Sequence, residues 1–183
     1  KIIVLTIINM KTDTKYIFAY GSLMCPESCA RTLRREVSYI PATLKGYERK
    51  FNAVGSVYHN DSKKNIGARF ANLIEKQESE SIGILLEIKD LELEELIKRE
   101  NFYNLLDVSS FIDNPPGRVF TFICTKTALL EESYVLQTYV NLMLLASKKF
   151  PLLIALLVLV FLSFIPQEII SGGFLSIICK YCN

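Results

Sequence analysis

One carboxylate in this chain falls where a carboxylate is expensive. Asp90–Arg99 carries the marks of a helix: Asp90 to cap it, Glu92, Glu94 and Glu95 in its first turn, and Lys98 and Arg99 in its last. That order of charge complements the helix dipole at both ends. Leu93, Leu96 and Ile97 form its inward stripe, and Glu100 follows them by seven, four and three residues. If the helix lasts one residue more, Glu100 joins the apolar stripe. Burial disfavours the charged form and raises the pKa, which suits a general acid/base near neutral pH. If the helix instead frays at Arg99, Glu100 turns to solvent. Periodicity leaves both outcomes open. Glu94 and Glu95 face outward.

A second stretch could hold a ligand. Tyr16–Met24 (YIFAYGSLM) runs apolar through Ile17, Phe18 and Ala19 and stops at Gly21-Ser22. Aromatic and β-branched residues suit a buried strand, and Gly21 lets the backbone turn or a ligand approach closely. Pro26-Glu27-Ser28 reads as a helix entry. A strand, a glycine turn and a helix start leave backbone N–H groups free to face an anion, although a buried strand that merely ends in a turn has the same pattern.

Other chemistries find little support. The single histidine, His59, sits among Asn60, Asp61 and Ser62, as an exposed loop residue would, so His-based nucleophilic catalysis is not expected. Ser22 lies outside any G-x-S-x-G elbow. Five cysteines without framework spacing argue against a disulfide scaffold. Cys25 and Cys29 are expected as buried thiols rather than metal ligands, and Cys179-x-x-Cys182 lacks the βαβ context of a redox pair. No metal or cofactor is expected. A net charge of +2 over 183 residues asks for no nucleic acid, and Arg31, Arg34 and Arg35 read as a solvated helix face.

The elements that must position these residues follow from pattern. A helix is expected at Glu27–Glu36, extended chain at Val37–Pro41 and a strand at Leu44–Phe51. Ser56–Asn65 reads as a polar loop, Gly67–Ile74 as a strand and Glu75–Ser81 as a charged turn. Ile82–Ile88 is a buried strand. After the Asp90–Arg99 helix come strands at Asn104–Val108 and Arg118–Cys124, separated by a turn at Asn114–Gly117. Ser133–Ser147 reads as a helix with Leu136, Tyr139, Val140 and Met143 on one face. Strands and helices without βαβ alternation suggest an α+β domain, and pattern alone does not say whether its sheet closes.

FAYGSLM resembles the opening motif of the gamma-glutamylcyclotransferase superfamily, which includes the ChaC-like and AIG2-like proteins. In that family the Y-G-S/T segment forms the pocket for a γ-glutamyl group, which implies Tyr20, Gly21, Ser22 and Leu23 as substrate-binding residues. IGILLEI, a helix and then RENFYNLLDV resemble the second motif, whose glutamate is the proton acceptor. Here that glutamate is Glu100, and Tyr103 matches the tyrosine after it. SYVLQTYVNLMLLASKKF resembles the family's closing helix, so the resemblance spans about Tyr16 to Phe150. Met24-Cys25 stands where ChaC-like members usually have Ile-Trp. Asn101-Phe102 replaces a glycine often found after the glutamate. Both departures bear on the substrate subclass.

The resemblance implies a small mixed β-barrel flanked by helices and a cytoplasmic enzyme acting on a small γ-glutamyl substrate. Its reaction would be an internal aminolysis: the substrate's α-amine attacks its own γ-carbonyl, Glu100 takes the proton, and 5-oxoproline and a free amine result. Backbone N–H groups of Gly21, Ser22 and Leu23 would hold a carboxylate or the developing oxyanion. The same fold could instead serve as a non-catalytic small-ligand-binding module. Outside the domain, residues 1–14 are expected as an N-terminal extension with Met10 as a natural start. In the tail, 150–183, Phe150–Ile165 is apolar except for Ser163. A membrane anchor there would be marginal in length, since a spanning helix needs ~20 apolar residues, and it is not the favoured reading.

Overall fold

The computed structural model describes residues 14–60, 62–125 and 133–149. The expectations for the N-terminal extension, for the tail after residue 149 and for Cys179 and Cys182 lie outside these residues. The described strands are β1 (Lys15–Ala19), β2 (Tyr39–His59), β3 (Lys64–Ile88), β4 (Asn104–Asp107), β5 (Arg118–Ile123) and β6 (Ser133–Val135). The helices are α1 (Pro26–Leu33), α2 (Asp90–Arg99) and α3 (Gln137–Lys149), and a short 3-10 turn covers Ser22–Met24.

The fold is α+β, as expected. One mixed sheet runs β2-β3-β1-β5-β4, with β6 paired to β3. β1 is antiparallel to β3 and parallel to β5. The sheet curls until β2 meets the segment after β4. There Tyr47 and Phe111 stack edge to face at 5.3 Å and Lys45 pairs with Asp113 at 2.6 Å. Side chains rather than a ladder close this barrel seam. β1 is buried on both faces, and its period of two divides the core. Tyr16 and Phe18, followed by Tyr20 just beyond the strand, pack with Leu44, Tyr47, Leu73, Leu85 and Val108. Ile17 and Ala19 pack on the opposite face with Cys29, Leu33, Leu86, Leu96 and Met143, under the three helices.

Two expected breaks are absent. Ser56–Asn65 is not a loop but strand up to His59 and again from Lys64, with turn at residues 60, 62 and 63, and Glu75–Ser81 is not a turn but lies within β3. β2 pairs with β3 from Tyr39↔Leu86 to His59↔Lys64, with a register shift that sets Gly46 against residues 76–79, and the side chains of Glu75, Lys76, Glu78 and Glu80 are exposed. Polarity there marks a solvated ribbon face, which pattern alone reads as a loop. α1 stops at Leu33, earlier than expected, where Arg34 takes a left-handed conformation at φ 54°. Ser133–Val135 is strand, and α3 begins at Gln137.

Three details of α2 are corrected. Its cap position is Lys89, and Glu92 Oε2 accepts the Lys89 N–H at 2.8 Å. Asp90 is the first helical residue and pairs with Lys15 at 2.6 Å. Ile97 is 44 % exposed, so Leu96, with Leu93 partly buried beside it, carries the inward stripe.

Candidate active site

β1 delivers its last residues to a small cleft of about 310 Å³, counting the open mouth. Tyr20, Gly21, Ser22, Leu23, Glu100 and Tyr103 all line it, joined by Phe18, Ala19, Ala71, Phe122 and Tyr139. Residues from opposite ends of two sequence motifs therefore share one wall. His59 lies at the far end of β2, its ring Nδ1 2.6 Å from Ser62 Oγ, and takes no part in the cleft. It closes a strand rather than standing in a loop.

Glu100 is the residue that ends α2. Its N–H still bonds the Leu96 carbonyl at 2.8 Å, so the helical path carries one residue beyond Arg99, as the buried alternative requires. The side chain is 16 % exposed. Burial pushes its carboxyl above the ordinary value, while the neighbouring Arg99 guanidinium pulls it back in part. Arg99 Nε lies 3.0 Å from Glu100 Oε1. The other Arg99 nitrogens reach the Ser28 carbonyl (2.8 Å), Ser28 Oγ (2.8 Å), Thr32 Oγ1 (2.8 Å) and Ser22 Oγ (3.2 Å). One rigid fork thus ties the carboxylate, the glycine turn and α1 together.

Gly21 is required by a side chain of the protein itself. A Cβ at this position would lie 2.6 Å from the Tyr139 hydroxyl oxygen, and 3.6 Å from Ala71 Cβ. The Tyr139 oxygen is held there by the backbone N–H of Ala71, which it accepts at 3.3 Å. Edge contacts with Phe70 (5.3 Å) and Phe51 (6.4 Å) hold the ring.

A break in the β2–β3 register supplies the other half of this arrangement. Lys50 pairs with Asn72 and Ala53 with Phe70, so two residues, Phe51 and Asn52, oppose the single Ala71. Such a bulge leaves peptide groups outside the ladder and is common beside functional sites. Ala71 gives its N–H to Tyr139, and its carbonyl accepts the Tyr103 hydroxyl at 2.8 Å. The next residue, fully buried Asn72, exchanges bonds of 2.9 Å with both the N–H and the carbonyl of Cys124, which fixes β3 to the end of β5. Tyr20 donates its hydroxyl to the Phe122 carbonyl across the same gap. Burial raises the phenols of Tyr20 and Tyr103 well above their usual range, and it brings Tyr139 to about 12. All three keep their protons at neutral pH.

Sequence reasoning missed Arg99, Tyr139 and Arg49. Arg99 stood out only as a helix-end charge, and its place beside Glu100 was the available signal. Tyr139 was grouped with an apolar face, although a tyrosine there brings a hydroxyl that must find partners. Arg49 is 9 % exposed and donates to the Ile82 carbonyl. Loss of solvent lowers its guanidinium to about 10, with the Tyr20 and Tyr139 hydroxyls near enough to oppose that. Cys25, Cys29 and Cys124 are buried, as expected for the first two. Among the described residues no three His, Cys, Asp or Glu side chains gather as metal ligands, and no helix is long and apolar enough to cross a membrane.

Residues 15–143 match the ChaC-like protein family, and they include both motifs and the cleft they build. The chain belongs to the ChaC-like family. Its fold recurs in solved structures at low identity. A gamma-glutamyl cyclotransferase superposes with a TM-score of 0.64 at 16 % identity, over 87 % of this chain and 92 % of its own. An uncharacterised protein from Homo sapiens gives 0.63 at 16 % identity, over 88 % and 93 %. YkqA from Bacillus subtilis gives 0.51 at 20 % identity, over 74 % of this ChaC-like chain and 49 % of its own. No curated protein matches the sequence.

Proposed function

We propose that this ChaC-like protein is a γ-glutamylcyclotransferase-type enzyme, converting the γ-glutamyl group of a peptide, amino acid or amine to 5-oxoproline. The observation that carries the reading is Glu100: a carboxyl of raised pKa, buried at the wall of a cleft that the Gly21–Leu23 turn also lines. Family membership and the fold shared with a gamma-glutamyl cyclotransferase support it.

In this mechanism Glu100 takes a proton from the substrate's α-ammonium. The freed nitrogen bonds to the γ-carbon of the same molecule. As the bond from that carbon to the departing nitrogen breaks, Glu100 returns its proton there. The two protons shed by the α-nitrogen are the two taken up by the departing amine. Both reacting groups belong to one molecule, so the protein's work is to fold the substrate and to carry the two protons, one after the other, from the attacking nitrogen to the departing one. Arg99 occupies Glu100 Oε1, which leaves Oε2 as the oxygen that moves the proton. Tyr20 and Tyr103 have their hydroxyls committed to backbone carbonyls, so they bound the substrate with their rings. The domain doing this work is 15–149.

The test is Glu100→Gln. It preserves shape and cannot accept a proton. Release of 5-oxoproline from γ-glutamyl-alanine and from glutathione should fall by ~10²–10⁴, about 3–5 kcal/mol of barrier. Turnover within a few-fold of the parent, in folded protein, would refute the assignment. A parent that binds such compounds without turning them over would instead make the chain a binding module.

A further inference from the structure

Three tyrosines meet at the cleft, and their hydroxyl protons differ in status. The Tyr20 proton goes to the Phe122 carbonyl and the Tyr103 proton to the Ala71 carbonyl. Tyr139 is arranged the other way round, with its oxygen receiving the backbone N–H of Ala71 at 3.3 Å. A phenol has one proton to give and two lone pairs to receive with. One lone pair is engaged by the Ala71 N–H, and among the described residues the proton has no acceptor. Tyr139 lines the cleft, so an acceptor must come from what the cleft binds.

We infer that Tyr139 is a catalytic residue of this site, whose O–H donates to the γ-carbonyl oxygen of a bound γ-glutamyl compound and to the oxyanion that forms there. The inference rests on the cyclotransferase reading of the cleft. The arrangement suits the task on three counts. The incoming Ala71 N–H dipole polarises the phenol and makes it a better donor. Burial and the Glu100 charge keep the proton in place, since a phenolate so close to that carboxylate is disfavoured. Phe51 and Phe70 fix the ring edge-on, so the donor is oriented before the substrate arrives, the condition under which such a group helps most. The close approach at Gly21 has the same origin, because a side chain there would drive the hydroxyl away.

Tyr139→Phe tests this. The expected result is a 10²–10³-fold loss of kcat on γ-glutamyl-alanine, with KM changed by less than a few-fold and the rising limb of the pH profile unmoved. A folded variant with turnover near that of the parent overturns the inference. If the variant does not fold, 3,5-difluorotyrosine at position 139 replaces it. This keeps the ring and lowers the phenol pKa. The high-pH fall in kcat should then move to lower pH, because a phenolate cannot donate, and an unmoved limb overturns the inference. Binding of 5-oxoproline separates the two levels of the argument. If the parent cyclises nothing but binds 5-oxoproline at least tenfold better than Tyr139→Phe, the donor stands and the cyclisation reading fails. Equal binding overturns the donor, and no binding by the parent overturns both.

Discussion

Gly21→Ala isolates the contact on which the cleft is built. Gly21 has φ −128°, a negative value open to L-residues, so the obstacle lies in space and not in a left-handed backbone. The added Cβ would meet the Tyr139 oxygen at 2.6 Å, whereas the ring carbon bearing that oxygen is 3.8 Å away. In the parent background the phenol must withdraw and loosen its bond to Ala71. A buried donor left without its acceptor costs ~1–3 kcal/mol, and overpacking costs about the same. We expect a net loss of about 2 kcal/mol, or roughly 4–8 °C in Tm for a chain of this length. In the Tyr139→Phe background the oxygen is gone and 3.8 Å is an ordinary contact. There the same substitution should cost less than about 0.5 kcal/mol, and it can stabilise slightly by restricting the unfolded chain. Urea denaturation of the parent, both single variants and the double variant gives the coupling directly. Effects that add to within about 0.5 kcal/mol would mean that the two sites do not interact and would refute the account of Gly21.

Two further outcomes follow from the electrostatics of Glu100. Arg99 holds the carboxyl down against the rise caused by burial, so Arg99→Met should move the rising limb of the kcat/KM–pH profile to higher pH. Arg99→Lys, which keeps the charge but loses the fork, should cost turnover while moving the limb less; a limb moved downward by Arg99→Met would contradict the pairing. Glu100 also carries a stability signature. Its pKa is raised in the folded protein, so the parent loses stability as pH climbs from the unfolded-state value through the folded one. Glu100→Gln should match the parent in Tm at acid pH and exceed it at neutral pH, and a variant that melts lower at pH 7 would show the carboxylate to be structural.

Local pattern was enough to place α2, β1 and the two motifs, because each rests on spacing within about ten residues. The helical count from Leu93 and Leu96 carried Glu100 to the cleft wall even though Ile97 turned out to face solvent. What the pattern could not supply was register. Ala71 gives no hint in the sequence of lying opposite a two-residue bulge, yet its peptide groups fix two of the three tyrosines. The polar runs at Ser56–Asn65 and Glu75–Ser81 misled for a related reason. Solvent exposure of a paired ribbon and of a loop selects the same residue types, and only the partner strand distinguishes them. Arg99 shows a further limit: composition reports that a helix ends in a cation, but not that the cation has neighbours from α1 and from the glycine turn.

The short first strand has a consequence for how the chain reaches this state. Residue 15 pairs with residue 88 and with residue 118, so both ladders of β1 close long loops, whose entropy must be met before their contacts contribute. The β2–β3 ribbon faces no such barrier, because it can zip from the His59–Lys64 pair, five residues apart in sequence. We therefore expect assembly to run from the ribbon toward β1, with the cleft, which draws on β1, α2, β5 and α3 at once, completed last. In stopped-flow refolding, the capacity to bind a cleft ligand should lag behind the appearance of sheet. A newly made chain would pass through a stage with most of its strands formed and no place yet for a substrate.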